Sequence, residues 1–532
     1  MLRLSNFPMS LDYTDDSLRK AVLHKLRLSP DQLLSLSLFR RSVDARDKAD
    51  VHFVLSLDLK VKNEGLLLKK HASLTMVNPS PVPPLPPARF SVPPLVVGAG
   101  PAGLFCALEL ARAGACPILI ERGKPVEQRS RDVDRMTAEG ILEEESNVQF
   151  GEGGAGAFSD GKLTCGVKSP YLRQVLETFV AHGAPEQILT DQKPHIGTDR
   201  LQPVVASLRQ QILALGGTVL FETRMEHLLL KGGCVVGALV NCRGDKQEIP
   251  TETVLLCIGH SARDTVQHLF EDGVRMEQKP FAMGVRIEHP RSLIDRSQYG
   301  AFAGHPALGA APYKLNCHTA DGRGVYTFCM CPGGHVIAAA SQPEGVVVNG
   351  MSYFARDAEN SNSALLVGVR PEDFEDDHPL SGFLLQRRIE RAAWRAANQG
   401  TGLPFRAPAQ RVEDFLHGRE TAAFGDVRPS YRPGVTPVDL AAVLPDYIVR
   451  NLRQALPVLD RQLHGFALPD AVLTAPETRS SSPVRLPRDE SGQALSIQGL
   501  YPVGEGAGYA GGIVSAALDG IQQARRALNA QP

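Results

Sequence analysis

Apolar residues in this chain follow two rhythms, short unbroken runs and recurrences every three to four residues, and the two alternate over much of its 532 residues. Leu95-Val96-Val97 is one run, a helix-like amphipathic stretch follows, and Ile118-Leu119-Ile120 is a second run, giving strand, helix, strand. Further on come a helix carrying Val204, Val205, Leu208, Ile212 and Leu215, the strand Thr218–Phe221, a hairpin-like pair over Cys234–Asn241, and the apolar strand Thr253–Ile258, which ends at Gly259. Near the end, Leu500–Val503 leads into an apolar helix, Val514–Leu528. Ahead of all this, Leu2-Arg3-Leu4 and Val51–Leu59 read as strands and Asp16–Leu28 as a helix. The proline-rich stretch Pro79–Pro94 can hold neither a helix nor an inner strand, and predicts an extended polyproline II spacer.

These elements divide the chain into a small N-terminal α+β domain (1–78), a linker (79–94), a strand–helix domain in two pieces (95–279 and 490–532), and a large α+β domain inserted between them (280–489). Alternating strands and helices predict an α/β class with a parallel, Rossmann-like sheet. The first unit carries Gly98-Ala99-Gly100-Pro101-Ala102-Gly103 at its strand-to-helix turn and Glu121 after its second strand. Gly98 permits the tight turn, Gly100 lets backbone approach a pyrophosphate, and Gly103 lets the helix pack closely on the strand, with phosphates at the helix N-terminus. Glu121 suits a ribose of FAD or NAD alike.

The far end of the chain decides between the two. Gly504-Glu505, the glycine-rich Gly506–Gly512 and Ile513 lead into the last helix. Glu505 can bind ribitol hydroxyls, and the helix N-terminus can face the N1/O2 edge of an isoalloxazine ring, where negative charge accumulates on reduction. FAD is therefore the expected cofactor. Between them Phe150–Leu163 is too glycine-dense for a regular element; Gly153, Gly154 and Lys162 are expected beside the flavin, with Arg122, Arg129 and Gly259 as further cofactor residues. Gly151–Gly156 and Gly506–Gly511 repeat the G-x-G-x-x-G spacing but are taken up by the flavin reading, and no separate strand–helix–strand unit is left for a second dinucleotide, so NAD(P)H is expected only as a transient co-substrate.

Composition changes the picture little. A formal net charge of −1 and 43% hydrophobic residues fit a large enzyme and argue against a general nucleic-acid or membrane-surface binder. Met1–Phe7 lacks a signal-peptide pattern, so a cytoplasmic location is expected. The nine cysteines show no C-x-x-C spacing, so no metal site is expected; Cys106, Cys116 and Cys257 read as small core residues. Arg40–Lys48, rich in both signs of charge, reads as a solvated loop.

The inserted domain supplies the candidate catalytic residues. Gly324–Cys331, Pro332-Gly333-Gly334 and His335–Ala340 read as a β-hairpin, with Cys329 and Cys331 on one face. The two form a redox pair, shelter one reactive thiol, or simply pack. Arg479 is placed to clamp a substrate carboxylate or a pyrophosphate, or to anchor a loop. His195, His260 and His335 read as structural or surface residues.

Together, Val97–Gly103, Gly151–Gly154 with Phe158–Leu163, Phe328–Gly334, Ala475–Pro483 and Tyr501–Gly512 resemble the large bacterial FAD-dependent dehydrogenases of this length. The resemblance spans essentially the whole chain and implies FAD binding and a flavin fold. The function expected is an oxidoreductase passing hydride through flavin N5 to or from a small molecule. The alternatives are a transfer-RNA-modifying flavoprotein, with the N-terminal module docking RNA, and a flavin-binding regulatory protein without turnover.

Overall fold

Five parallel strands of three residues each carry the nucleotide-fold half, in a computed structural model that describes residues 1–78, 82–400 and 402–530. Across the sheet their order is Leu500–Pro502, Val254–Leu256, Leu95–Val97, Ile118–Ile120 and Thr218–Leu220. Successive side chains serve opposite faces. Val96, Leu119, Leu255 and Tyr501 pack under the helices Pro101–Arg112, Thr198–Ala214 and Ile513–Asn529. Leu95, Val97, Ile120 and Val254 pack under an antiparallel meander of Thr223–Lys231, Cys234–Cys242 and Asp245–Pro250. The pair expected around Cys234–Asn241 is thus the middle of three strands.

The N-terminal module is a four-stranded antiparallel sheet, ordered Leu33–Asp44, His52–Val61, Leu2–Met9, Leu74–Met76, with helices Asp15–Leu26 and Glu64–Lys70. This is the split β-α-β topology. Thr14 and Ser17 cap the first helix reciprocally, Ser17 N donating to Thr14 Oγ1 and Thr14 N to Ser17 Oγ. The charged stretch expected as a solvated loop begins instead as the end of an edge strand. Arg41 N donates to Thr190 O and Gln192 N to Arg41 O, while the Arg41 guanidinium pairs with Asp191 at 2.9 Å, so the edge is covered by the nucleotide half.

Of the linker, Pro79–Pro81 lie outside the described residues. The rest is extended but is no free spacer. Leu85, Ala88 and Phe90 pack on the nucleotide-fold core, Ala88 N donates to Ala113 O, and Arg525 donates to the carbonyls of Pro83 and Pro84. Cys106 and Cys257 are buried as expected, whereas Cys116 is exposed on a left-handed turn. Among the described residues no helix is long and apolar enough to cross a membrane.

The inserted region builds a seven-stranded sheet in the order Asn316–His318, Gly324–Cys331, Asn360–Val369, Phe281–Pro290, Val472–Glu477, Ala407–Arg411, Val435–Pro437. The expected hairpin across Pro332-Gly333-Gly334 does not form. Gly324–Cys331 pairs with Asn316–His318 and Asn360–Val369, whereas His335–Ala338 pairs with Val348–Met351 in a separate two-stranded sheet. The reason is local. The ladder slips between Phe328 and Cys331, and Gly333 has φ +45° with Arg356 O only 1.8 Å from where a Cβ would sit, so the chain leaves the large sheet there.

Buried charges hold the site-bearing segments. Arg129, fully buried, donates to the carbonyls of Asn147, Val148, Gly151 and Glu152, so it shapes the glycine loop and does not reach the cofactor cleft. Beside it Glu152 accepts from Val126 N and Arg209, and its other oxygen has no partner. Burial raises the Glu152 carboxyl to about 7, against the opposing effect of the Val126 amide and Arg209.

Glu390 lies buried between Arg263 (2.7 Å) and Arg479 (3.0 Å). Replacing it, Glu390→Gln, leaves two guanidiniums without their counter-charge and should cost about 3 kcal/mol or more of stability, read from urea denaturation. For Glu152, the unfolded chain ionises at lower pH than the folded one. Its contribution therefore declines as pH rises from the ordinary glutamate range to about 7. Glu152→Gln should remove this slope, gaining at most about 3 kcal/mol at pH 8 relative to pH 4.5.

Candidate functional site

The chain builds outward in both directions from Leu95–Val97, with Ile118–Ile120 on one side and Val254–Leu256 on the other. At the carboxyl ends of these strands lies a topological switch point, where a crevice opens. A cavity of about 340 Å³ runs from there to the inserted sheet. Its first wall is the glycine turn. Gly98 has φ +101°, and a Cβ on it would meet Cys257 O at 2.5 Å. Gly100 caps the helix Pro101–Arg112, with ordinary φ and no atom within 3.4 Å of a Cβ, so its open side faces the cleft. Gly103 does not line the cleft: a Cβ there would fall 1.8 Å from Gly98 O, so its role is to let helix and turn touch.

Glu121 is buried at the cleft wall. It accepts from Ala99 N at 2.8 Å and from Gly123 N and Gly151 N at 2.9 Å each. Three amides orient the carboxylate, and a carboxylate's remaining lone pairs can accept from a ribose. Arg122 also lines the cleft, but its charge is committed. It bonds Glu145 at 2.6 Å and Asp264 at 2.8 Å, and its guanidinium stacks over Phe150 at 4.0 Å. Burial opposes the charged form, and these two carboxylates outweigh it. Thr223, Arg224 and Met225 complete this end.

The middle of the cleft is lined by Gly259, His260, Ser261 and Glu505. His260, read from sequence as structural or surface, is buried here, with Nδ1 3.4 Å from Glu505 Oε1 and neither ring nitrogen hydrogen-bonded. A buried ring with two unsatisfied nitrogens facing a cleft is a place for a polar ligand. Gly504 sits behind the wall, its N–H donating to Asp519 at 2.7 Å.

At the far end, Gly154, Gly511, Gly512 and Ile513 bring the glycine loop and the last helix N-terminus together. Gly153 is behind the loop, with Ala157 Cβ 2.8 Å from where its own Cβ would sit. Facing them from the inserted region are Phe328, Cys329, Asn349, Glu477, Arg479 and Ser480. Lys162 lies between, pairing with Asp160 at 3.1 Å. Burial disfavours its charge, yet Asp160 and the two nearby thiols hold it above the usual lysine range. Asp160 is fully buried and also bonds Arg356 at 2.6 and 2.9 Å; burial alone would raise it, and Lys162 and Arg356 hold it well below the ordinary carboxylate range.

Arg479 lines this end, but its guanidinium is spent on Glu390 and Ser341 Oγ at 2.6 Å, which corrects the expectation of a free carboxylate clamp. Cys329 reaches the cleft; Cys331 is fully buried behind it, so the expected shared strand face is lost to the bulge. His195 stacks on Phe354 and bonds its carbonyl, and His335 lies edge-on to Tyr353. Sequence reasoning gave no role to Asp160 and Glu477, although both lie in quoted segments, nor to His260 and Asn349, which have no motif of their own. The unpartnered His260, the open side of Gly100 and the oriented Glu121 together fit a dinucleotide.

Three family models match the chain: an FAD-binding domain over residues 91–139, an FAD-dependent protein C-terminal domain over 280–480, and a domain of unknown function over 1–60. An "Uncharacterized protein" of Clostridium beijerinckii is 44% identical over 532 residues, covering 99% of this chain and 98% of the relative. Among solved structures, a triple mutant of the flavin-dependent brominase Bmp2 is 11% identical over 84% of this chain and 82% of its own, with TM-score 0.35. A geranylgeranyl bacteriochlorophyll reductase-like protein from Thermoplasma acidophilum is 10% identical over 82% and 78%, with TM-score 0.37. Likenesses this distant carry no argument about chemistry. The near full-length relative and the FAD domain models do: the chain belongs to this family of FAD-dependent proteins and is a Rossmann-like α/β flavoprotein with a redox function.

Proposed function

We propose that this protein is an FAD-dependent oxidoreductase that moves hydride through flavin N5 to or from a small molecule, with NAD(P)H as a transient donor. The observation that carries the reading is the single cleft running from Glu121 at the parallel sheet to Lys162 and Cys329 at the inserted one. Bound FAD supplies two-electron hydride exchange at its ring. The chain does the rest. Gly98, Gly100, Pro101 and Ala102 form a backbone cradle where the helix N-terminus favours a pyrophosphate. Glu121 accepts from the adenosine ribose and Glu505 from the ribitol.

Gly511, Gly512 and Ile513 present the last helix N-terminus to the N1/O2 edge, where its positive end opposes developing negative charge. Lys162, raised above the usual range, stays charged at that end of the cleft. Phe328, partly exposed, lines the rim of the cleft on the inserted side. The three G-x-G-x-x-G stretches, Gly98–Gly103, Gly151–Gly156 and Gly506–Gly511, all lie along this one cleft, which supports a nicotinamide that comes and goes over the ring instead of holding its own domain.

Two measurements test this. Anaerobic titration of the FAD-loaded protein with NADPH or NADH should bleach the yellow flavin band rapidly; no bleaching by either would remove the nicotinamide half-reaction and leave an organic substrate as the reductant. Gly100→Val has room within the protein but fills the open side of the cradle. It should weaken FAD binding by about 100-fold, or roughly 3 kcal/mol, with an unchanged far-UV spectrum. Wild-type affinity in this variant would refute the pyrophosphate assignment.

A further inference from the structure

The bulge at the end of Gly324–Cys331 gathers two thiols and three cations into one nook at the Lys162 end of the cleft, and the hydride reading gives the thiols no chemical role. Cys329 has φ +42°, a left-handed backbone that is uncommon outside glycine. An extended three-residue stretch holds its end Cα atoms about 7 Å apart, the outer limit for a disulfide, and this stretch departs from extended geometry at Cys329, where the ladder slips. Cys331 Sγ donates to Cys329 O at 3.2 Å. Cys329 lines the cleft; Cys331 is wholly buried behind it.

The charges facing this pair do not balance. Arg286 Nη1 lies 3.7 Å from Cys331 Sγ, and Lys162 Nζ lies 4.0 Å from it. Arg356 is bound to the same Asp160 that pairs with Lys162. Against these three cations stand two carboxylates, Asp160 and Glu477, the latter bonding Arg286 at 2.6 and 3.1 Å. Of the remaining titratable neighbours, burial and Arg356 push His195 and Lys193 toward their neutral forms, burial outweighs Arg286 in raising Glu288, and burial keeps the Tyr299 and Tyr313 hydroxyls protonated. One positive charge is left over in a buried place, which a single thiolate shared by the pair would neutralise. The neighbouring Cys331 thiol, then Lys162 and Arg286, hold Cys329 below the ordinary thiol range against the effect of burial.

We infer that Cys329 and Cys331 are a two-electron thiol–disulfide couple that exchanges electrons with the bound FAD. The inference rests on the cleft being the FAD site. In the oxidising direction the S–S bond forms between the Cys329 thiolate and Cys331 as the Cys331 S–H bond breaks; two electrons and that proton pass to oxidised FAD, which is reduced by two electrons. In the other direction reduced FAD returns both electrons and the proton, and the S–S bond opens. Cys329, on the cleft side, is the thiolate that faces the ring, and Cys331 resolves it.

The test has two arms. FAD-loaded protein oxidised with diamide, desalted and titrated anaerobically with dithionite should take about two equivalents per FAD, where a flavin alone takes about one. Cys329→Ser and Cys331→Ser should each take about one. In the second arm, diamide treatment of wild-type protein without FAD should protect Cys329 and Cys331 from iodoacetamide and leave their peptide lighter by two hydrogens, a result that needs neither variant to fold. Failure of that disulfide to form, while the FAD-loaded protein of the first arm keeps its flavin band, overturns the couple and leaves the FAD reading standing. A disulfide that forms but adds nothing to the dithionite count overturns the exchange with FAD. Protein that forms the disulfide but binds no FAD overturns the cofactor reading, and the exchange with it.

Discussion

One carboxylate, Glu390, ties the inserted domain to the nucleotide half and so sets the shape of the cleft between them. It projects from the helix Ser381–Ala397 and is fully buried. Arg263, from the helix that follows the strand Val254–Leu256, bonds both of its oxygens, at 2.7 and 2.9 Å, and Arg479, just past the inserted strand Val472–Glu477, bonds them at 3.0 and 3.1 Å. Thr478 adds a hydroxyl at 2.7 Å. Burial alone would raise this carboxyl; Arg263 and Arg479 hold it well below the ordinary carboxylate range, so it stays ionised wherever the protein is folded. A charge network of this kind contributes less to net stability than to geometry, because two guanidiniums and one carboxylate tolerate only one arrangement when desolvated.

That geometry explains the division of labour along the cleft. At the adenosine end the ligand surface is mostly backbone: amides of the glycine turn, a helix N-terminus, and a glutamate whose orientation is itself set by three amides. Main-chain donors held by strands and helices need no side-chain entropy to be positioned. At the ring end the surface is side chains from both domains, Lys162 and Asp160 from the glycine loop and Cys329, Asn349 and Glu477 from the inserted region. Reactivity there depends on charge balance among buried groups, and each group's state is set by the others.

Arg129 and Arg479 show how far residue type alone can be read. Both are arginines in segments that approach the cleft, and both look like anion ligands in sequence. Arg129 instead satisfies four carbonyls of a loop that has no regular hydrogen bonding of its own, and Arg479 answers a glutamate 89 residues earlier in the chain. Gly103, Gly153 and Gly504 similarly sit one layer behind the wall, where they permit close approach without touching a ligand. His260 is the reverse case: an unremarkable histidine after a strand becomes the buried, unpartnered ring in the middle of the cleft.

By itself the sequence determined what depends on neighbours along the chain: the strand–turn–helix unit with Gly98, Gly100 and Gly103, the last glycine loop and helix, the α/β class and the flavin cofactor. These follow from local sterics and periodicity, since a tight turn needs glycine wherever it occurs. Only the tertiary structure decided which charges are spent on one another, that the strand ending at Cys331 pairs away from its expected hairpin partner, and that Cys329 and Cys331 share a nook with Lys162 and Arg286. Those outcomes come from side chains tens to hundreds of residues apart meeting out of water, where each buried charge must find its partner and no local pattern records which one it finds.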